Sequence, residues 1–156
     1  MDLSGTVNLS VQPNDAAEGF HSAETLRHFL PGTSELSKTG PSAFDFVVTK
    51  DAGMVSLRLP GTLTIEPEGD TYRFEAKARH LLGGTANLLL NIRFAPSESG
   101  AGTVMSYAGI LAATGLAGRL LRDRAPVAQE MLAAKFEQVR RHLEVVYAGE
   151  PGEMYD

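Results

Sequence analysis

Two hydrophobic periods divide this chain. From Ala43 to Leu111 apolar residues mostly alternate with polar ones, and from Gly115 to Tyr147 they recur at steps of three, four and seven. The first period belongs to strands and the second to a helix. Ahead of both, Leu3, Gly5, Val7, Leu9 and Val11 alternate and predict a first strand. Pro13-Asn14-Asp15 stops it and opens a helix. Two short helices fit between Asn14 and Leu30, with a break from Gly19 to Ser22. Ser22, followed by Glu24 and Thr25, reads as the second cap, and Leu26, Phe29 and Leu30 form that helix's apolar face. Pro31-Gly32 ends it.

The strand region divides cleanly. Phe44, Phe46 and Val48 share a face, as do Val55, Leu57, Leu59, Leu63 and Ile65. Tyr72, Phe74, Ala76 and Ala78 stand opposite Arg73, Glu75, Lys77 and Arg79, the clearest half-buried strand in the chain. Ala86, Leu88, Leu90, Ile92 and Phe94 follow, then Met105, Tyr107, Gly109 and Leu111. Meander connections this short predict antiparallel pairing. Pro60 interrupts a strand pattern and is placed at an edge or a bulge.

The last segment carries the stripe Leu116, Leu120, Val127, Met131, Phe136, Val139, Leu143 and Val146. Pro126 either kinks this helix or splits it into a short piece, about 114–122, and a longer one from about Arg124. A single long helix after a run of sheet has no helix of similar length to pack on, so it lies across the sheet. The expectation is an α+β fold: a curved antiparallel sheet wrapped around a long C-terminal helix, with a cavity between them. Parity predicts that Leu57, Leu59, Phe74, His80, Leu90, Ile92, Met105 and Tyr107 line that cavity, with Leu116, Leu120 and Met131 from the helix. Residues 1–148 read as one domain, and the polar, Gly/Pro-containing 149–156 as a flexible tail.

Composition narrows the function classes. A chain of 156 residues buries roughly 68–70% of its unfolded surface and needs no staples. It has no cysteine, which excludes disulfides, thiolate metal sites and a cysteine nucleophile. A net charge of −5 argues against nucleic acid as a partner, and a chain without tryptophan offers a poor stacking platform for bases. The first residues lack the basic and apolar regions of a signal peptide. No apolar run approaches the roughly 20 residues of a membrane span. A cytoplasmic protein is expected.

The order strand, two short helices, about six strands, long helix resembles the helix-grip arrangement of the START-like, or Bet v 1-like, superfamily. Local motifs narrow the resemblance. Pro13 to Gly32, ending Phe29-Leu30-Pro31-Gly32, is similar to the opening of the CoxG family, which is associated with carbon monoxide dehydrogenase. Gly53-Met54-Val55-Ser56-Leu57-Arg58-Leu59-Pro60-Gly61 is similar to that family's third strand. Gly84-Thr85-Ala86 and Gly102-Thr103-Val104-Met105-Ser106-Tyr107 resemble its later strands. The resemblance covers roughly residues 1–145. It implies an accessory role beside a molybdenum hydroxylase of the carbon monoxide dehydrogenase type, in maturation, membrane recruitment or quinone handling. The implied ligand is a hydrophobic or amphipathic small molecule. The implied partners are that hydroxylase complex or the inner membrane face.

No catalytic constellation stands out. His21, His28, His80 and His142 lack metal-ligand spacing, so neither metal nor cofactor is expected. His142 follows Arg140-Arg141 and reads as solvated surface, and His28 as a helix-face residue. His80 has inward parity and reads first as a core or rim histidine. Tyr107 points inward, and its phenol suits either a protein partner or a ligand's carbonyl oxygen. Arg58 and Arg93 fall on the outer parity. The alternative to a binding protein is a small enzyme of the polyketide cyclase or dehydratase kind. Such an enzyme needs an inward polar pair, and only His80 and Tyr107 offer one. The segment Gly109–Leu121, with Gly83-Gly84 and Phe29-Leu30-Pro31-Gly32, is expected to frame a mobile entrance. Arg119, Arg122 and Arg124 there would face anionic lipid or an acidic partner.

Overall fold

The computed structural model describes residues 1–29, 35–52, 55–79, 84–100, 102–115 and 125–148. Strand β1 is Asp2–Leu9, followed by helices α1, Pro13–Phe20, and α2, Ala23–Leu26. A 3-10 turn, Arg27–Phe29, extends α2. Strands β2 (Glu35–Gly40), β3 (Ala43–Ala52), β4 (Val55–Glu68), β5 (Thr71–Arg79), β6 (Thr85–Pro96) and β7 (Thr103–Ala113) come next. Helix α3 runs from Ala125 to Ala148.

The seven strands form one antiparallel sheet in the order β1-β7-β6-β5-β4-β3-β2. Six of them form a meander, and β1 joins it beside the last strand. The alternation read in the sequence holds. Leu3, Gly109, Leu90, Phe74 and Ile65 stand opposite one another in one cross-strand row. Gly5, Tyr107, Ile92 and Tyr72 make the next row. Those rows face the helices, while Arg73, Glu75, Lys77 and Arg93 face out. Arg58 pairs with Glu35, and Arg93 with Asp70, in exposed ion pairs on that outer face.

Two glycines let the sheet bend. A Cβ on Gly109 would run into the backbone of Leu89 and Leu90 on β6, and one on Gly61 into the Lys77 carbonyl and the Phe46 ring. Backbones approach this closely only where no side chain intervenes. Gly109 therefore belongs to the sheet, and the segment expected to form an entrance begins later: 109–113 are strand. Pro60 sits just beyond Gly61, where the β4–β5 ladder begins. On its β5 side it is locally an edge, which is how a central strand tolerates it.

Ser22 caps α2 as expected: its Oγ accepts the Thr25 N–H at 3.1 Å. Helix α3 starts at Ala125, so Pro126 falls in the first turn, where an amide donor is not needed. Residues 116–124 lie outside the described residues. The helix stripe departs from the expectation in phase. Leu132, Phe136, Val139 and Leu143 are buried, whereas Met131 is 59% exposed and Val146 is exposed too. Position 132 lies four residues before 136, so Leu132 continues the stripe and Met131 turns some 100° away from it.

Candidate functional site

Helix α3 runs along β1 from one end of the sheet to the other. Gln129, near its start, bonds Ser4, and Glu144, near its end, bonds Ser10. At the Glu144 end the grip is filled. Phe20 from α1 meets Phe74 and Phe94 edge-on, at centroid distances of 6.4 and 5.8 Å, and stacks on Phe136 at 6.2 Å. Phe136 stacks on Tyr107 at 3.9 Å with a 5° interplanar angle. Leu90, Ile92 and Met105 close this cluster and are fully buried.

Toward the other end the same concave face is still apolar, and Phe44, Phe46 and Leu63 on it are buried. Val48, Leu59, Ala76, Ala78, Ala86, Leu88, Leu111 and Ala113 continue the inward parity, and all are only half-buried. Apolar side chains at partial exposure beside the core on a concave surface make a candidate groove floor. A groove of about 660 Å³ crosses β3 to β6, lined by Asp45, Thr62, Lys77 and Arg79 on the outer parity and by Phe46, Gly61, Ala78 and Ala86 on the inward one.

The expected cavity residues thus divide. Phe74, Leu90, Ile92, Met105 and Tyr107 are on the concave face and buried in the filled end. Leu59 is on the open floor. Met131 does not face the sheet; Leu132 takes that place. His80, Leu116, Leu120 and the Leu57 side chain lie outside the described residues, as do residues 30–32, 83 and 116–121 of the expected entrance. The neighbouring Gly84 and Gly115 hold φ of 102° and 64°, a region that favours glycine.

Two polar features stand on this side of the sheet, of which only the first was not legible from spacing. His28, read as a helix-face residue, and His142, read as solvated surface, meet with ring centroids 4.7 Å apart and planes tilted by 38°. Burial holds the His28 imidazole below its ordinary pKa. His142 and Lys135 push the same way, and Glu24 opposes them. The pair ties the 3-10 turn to α3. The second feature is Tyr107, whose phenol burial pushes above its ordinary pKa. Among the described residues, no three metal-ligating side chains cluster.

A seven-stranded antiparallel sheet gripping a long C-terminal helix defines the helix-grip, START-like fold. Solved structures share it. A conserved protein from Geobacillus kaustophilus superposes with a TM-score of 0.75 at 13% identity, over 92% of this chain and 95% of that one. A STAR-related lipid transfer protein fragment from Xanthomonas axonopodis gives 0.58 at 17% identity, over 90% and 84%. Ara h 8.0201 gives 0.51 at 11% identity, over 89% and 97%. The chain itself belongs to the carbon monoxide dehydrogenase CoxG family, whose model matches residues 5–144. No curated protein matches it in sequence. No helix among the described residues is long and apolar enough to cross a membrane.

Proposed function

We propose that this protein holds a lipid- or quinone-like amphipathic molecule on the open end of its concave sheet, as an accessory to a molybdenum hydroxylase of the carbon monoxide dehydrogenase type. The observation that carries the reading is the half-buried apolar floor around Leu59, Leu88 and Leu111. Leaving apolar area this exposed costs roughly 25 cal/mol per Å² relative to covering it, and an apolar ligand recovers that term. The family name supports the enzyme association, and the lipid transfer protein that shares the fold supports the ligand class. No carboxylate stands on the inward parity of the strands among the described residues. A cyclase-like activity needs an inward polar pair, and with no carboxylate there only Tyr107 and His80 offer one, so binding is favoured. We take residues 1–148 as one START-like domain acting in the cytoplasm at the inner membrane face. The basic run Arg119, Arg122 and Arg124 in the sequence supports contact there with anionic lipid or with the enzyme.

Native mass spectrometry of protein purified from its own host, followed by lipid extraction, tests the ligand. A retained apolar molecule is expected, together with saturable binding of diphenylhexatriene. Leu88→Arg should weaken that binding roughly tenfold, about 1.4 kcal/mol, while leaving the fold intact. An empty protein with no affinity for the probe would refute the reading.

A further inference from the structure

Strand β1 is an edge of the sheet: it pairs with β7 alone. The Met1 amine donates to the Leu111 carbonyl at 3.0 Å, and the Leu111 N–H donates to the Met1 carbonyl at 2.9 Å. They form a doubly bonded antiparallel pair. Because such pairs alternate with unbonded ones, Leu3, Gly5, Val7 and Leu9 bond to β7. The N–H and C=O of Ser4, Thr6 and Asn8 then point to the free edge. Side chains of α3 agree with this assignment. Gln129 Nε2 donates to the Ser4 carbonyl at 2.6 Å, and the Ser10 N–H donates to Glu144 Oε2 at 3.0 Å.

The helix therefore satisfies the edge at both ends. Between Gln129 and Glu144 the helix presents Ala133, whose methyl is too short to reach the strand. A cleft of about 410 Å³ opens there, with Thr6 and Asn8 on one wall and Glu137 and Arg140 on the other. That volume lies within the range of small-molecule sites. Tyr107 enters from below. Its partner across the ladder is Gly5, and its phenol crosses the space that a side chain there would occupy. The ring is clamped by Phe136. The residue is only 4% exposed, and no described residue hydrogen-bonds its hydroxyl.

The geometry points to a second binding site in this cleft, for a neutral secondary amide. The amide carbonyl accepts from the Tyr107 hydroxyl and from an edge N–H, and the amide N–H donates to an edge carbonyl. The charges opposite select for neutrality. Arg140 pairs with Glu137 and Glu144, and Arg141 with Glu137 at 3.5 Å. Two carboxylates and two guanidiniums satisfy one another and leave no spare charge for an ionic ligand. An apolar molecule gains nothing here, because unpaired backbone groups keep their water unless a partner replaces it. This site is separate from the apolar floor.

Amide-resolved NMR of the full chain tests it. Two probes separate the possible sources: N-acetylglycine N-methylamide for a peptide bond and N-hexylacetamide for an acyl amide. Saturable shifts at the Thr6 and Asn8 amides are expected with at least one probe, the tighter one naming the source. Sodium acetate should give none. Ala133→Leu, at an exposed position, should abolish the response. Tyr107→Phe should weaken it three- to tenfold, the worth of one hydrogen bond. Leu88→Arg should leave it unchanged. Absence of saturable shifts with both probes, equal affinity in Ala133→Leu, or an equal response to acetate would overturn the assignment.

Discussion

Gly109→Ala adds one methyl to the centre of the sheet, and its cost follows from where that methyl must go. Gly109 bonds to Leu3 on one side, so towards β6 it forms the close, unbonded pair with Leu90. A Cβ would stand 2.8 Å from both the Leu89 carbonyl carbon and the Leu90 Cα, and nearer still to the Leu89 oxygen. These are backbone atoms, so no rotamer change relieves the clash and the strands must part. Overpacking of this kind costs about 1–3 kcal/mol. Straining the two flanking ladder bonds adds about 0.5–1.5 kcal/mol each. The stiffer unfolded chain returns about 0.4–1 kcal/mol. The net is about 3 kcal/mol of destabilisation. With a urea m-value of about 2 kcal/mol/M, the unfolding midpoint falls by roughly 1.5 M. Gly40→Ala is the matched control. Its φ is not positive and its Cβ would meet only the Ala43 Cβ, at 3.7 Å, so its midpoint should hold or rise slightly. If Gly109→Ala unfolds within about 0.25 M of the parent, the close approach of β6 and β7 is not what requires glycine there.

Ser22→Ala removes the α2 cap and should cost about 1 kcal/mol in urea melts; no loss would mean that the Thr25 amide finds another acceptor. The burial of His28, with His142 beside it, should make stability depend on pH. Because the folded pKa of His28 lies below its ordinary 6.5, the unfolded chain takes up the proton first. Stability is therefore full above about pH 6.5 and declines as pH falls from there towards the folded value. His28→Gln should flatten that decline between pH 7 and 5.5, and the His28 ring protons should titrate below 6.5 by NMR; an unchanged slope would refute the coupling.

What the sequence revealed depended on range. Local periodicity disclosed β5, because its apolar and charged residues alternate without exception from Tyr72 to Arg79. It missed β2, whose six residues Glu35–Gly40 hold one apolar side chain, Leu36. An edge strand covered on one face at a single point leaves no alternation to read. The helix stripe was found but its phase slipped at Met131, because two adjacent apolar residues, Met131 and Leu132, fit similar spacings. The His28–His142 contact spans over a hundred residues, and no local pattern encodes it. Gly109 was read as a weak point in a mobile segment. Its true role, a site of backbone contact between strands, depends on a neighbour that only the fold supplies.

The helix that grips the sheet also guards it. A sheet edge invites pairing with another chain, and β1 is protected by only a few side chains of α3. Any motion that lifts α3 strips Gln129 from Ser4 and Glu144 from Ser10 together, baring a strand of eight residues to neighbouring molecules. Opening along the whole helix and self-association are therefore linked: a copy that released α3 to take up the proposed ligand would become sticky for its own kind. Entry of that ligand at the end of the sheet away from Glu144 would avoid the hazard, because α3 then stays seated while the apolar floor is reached.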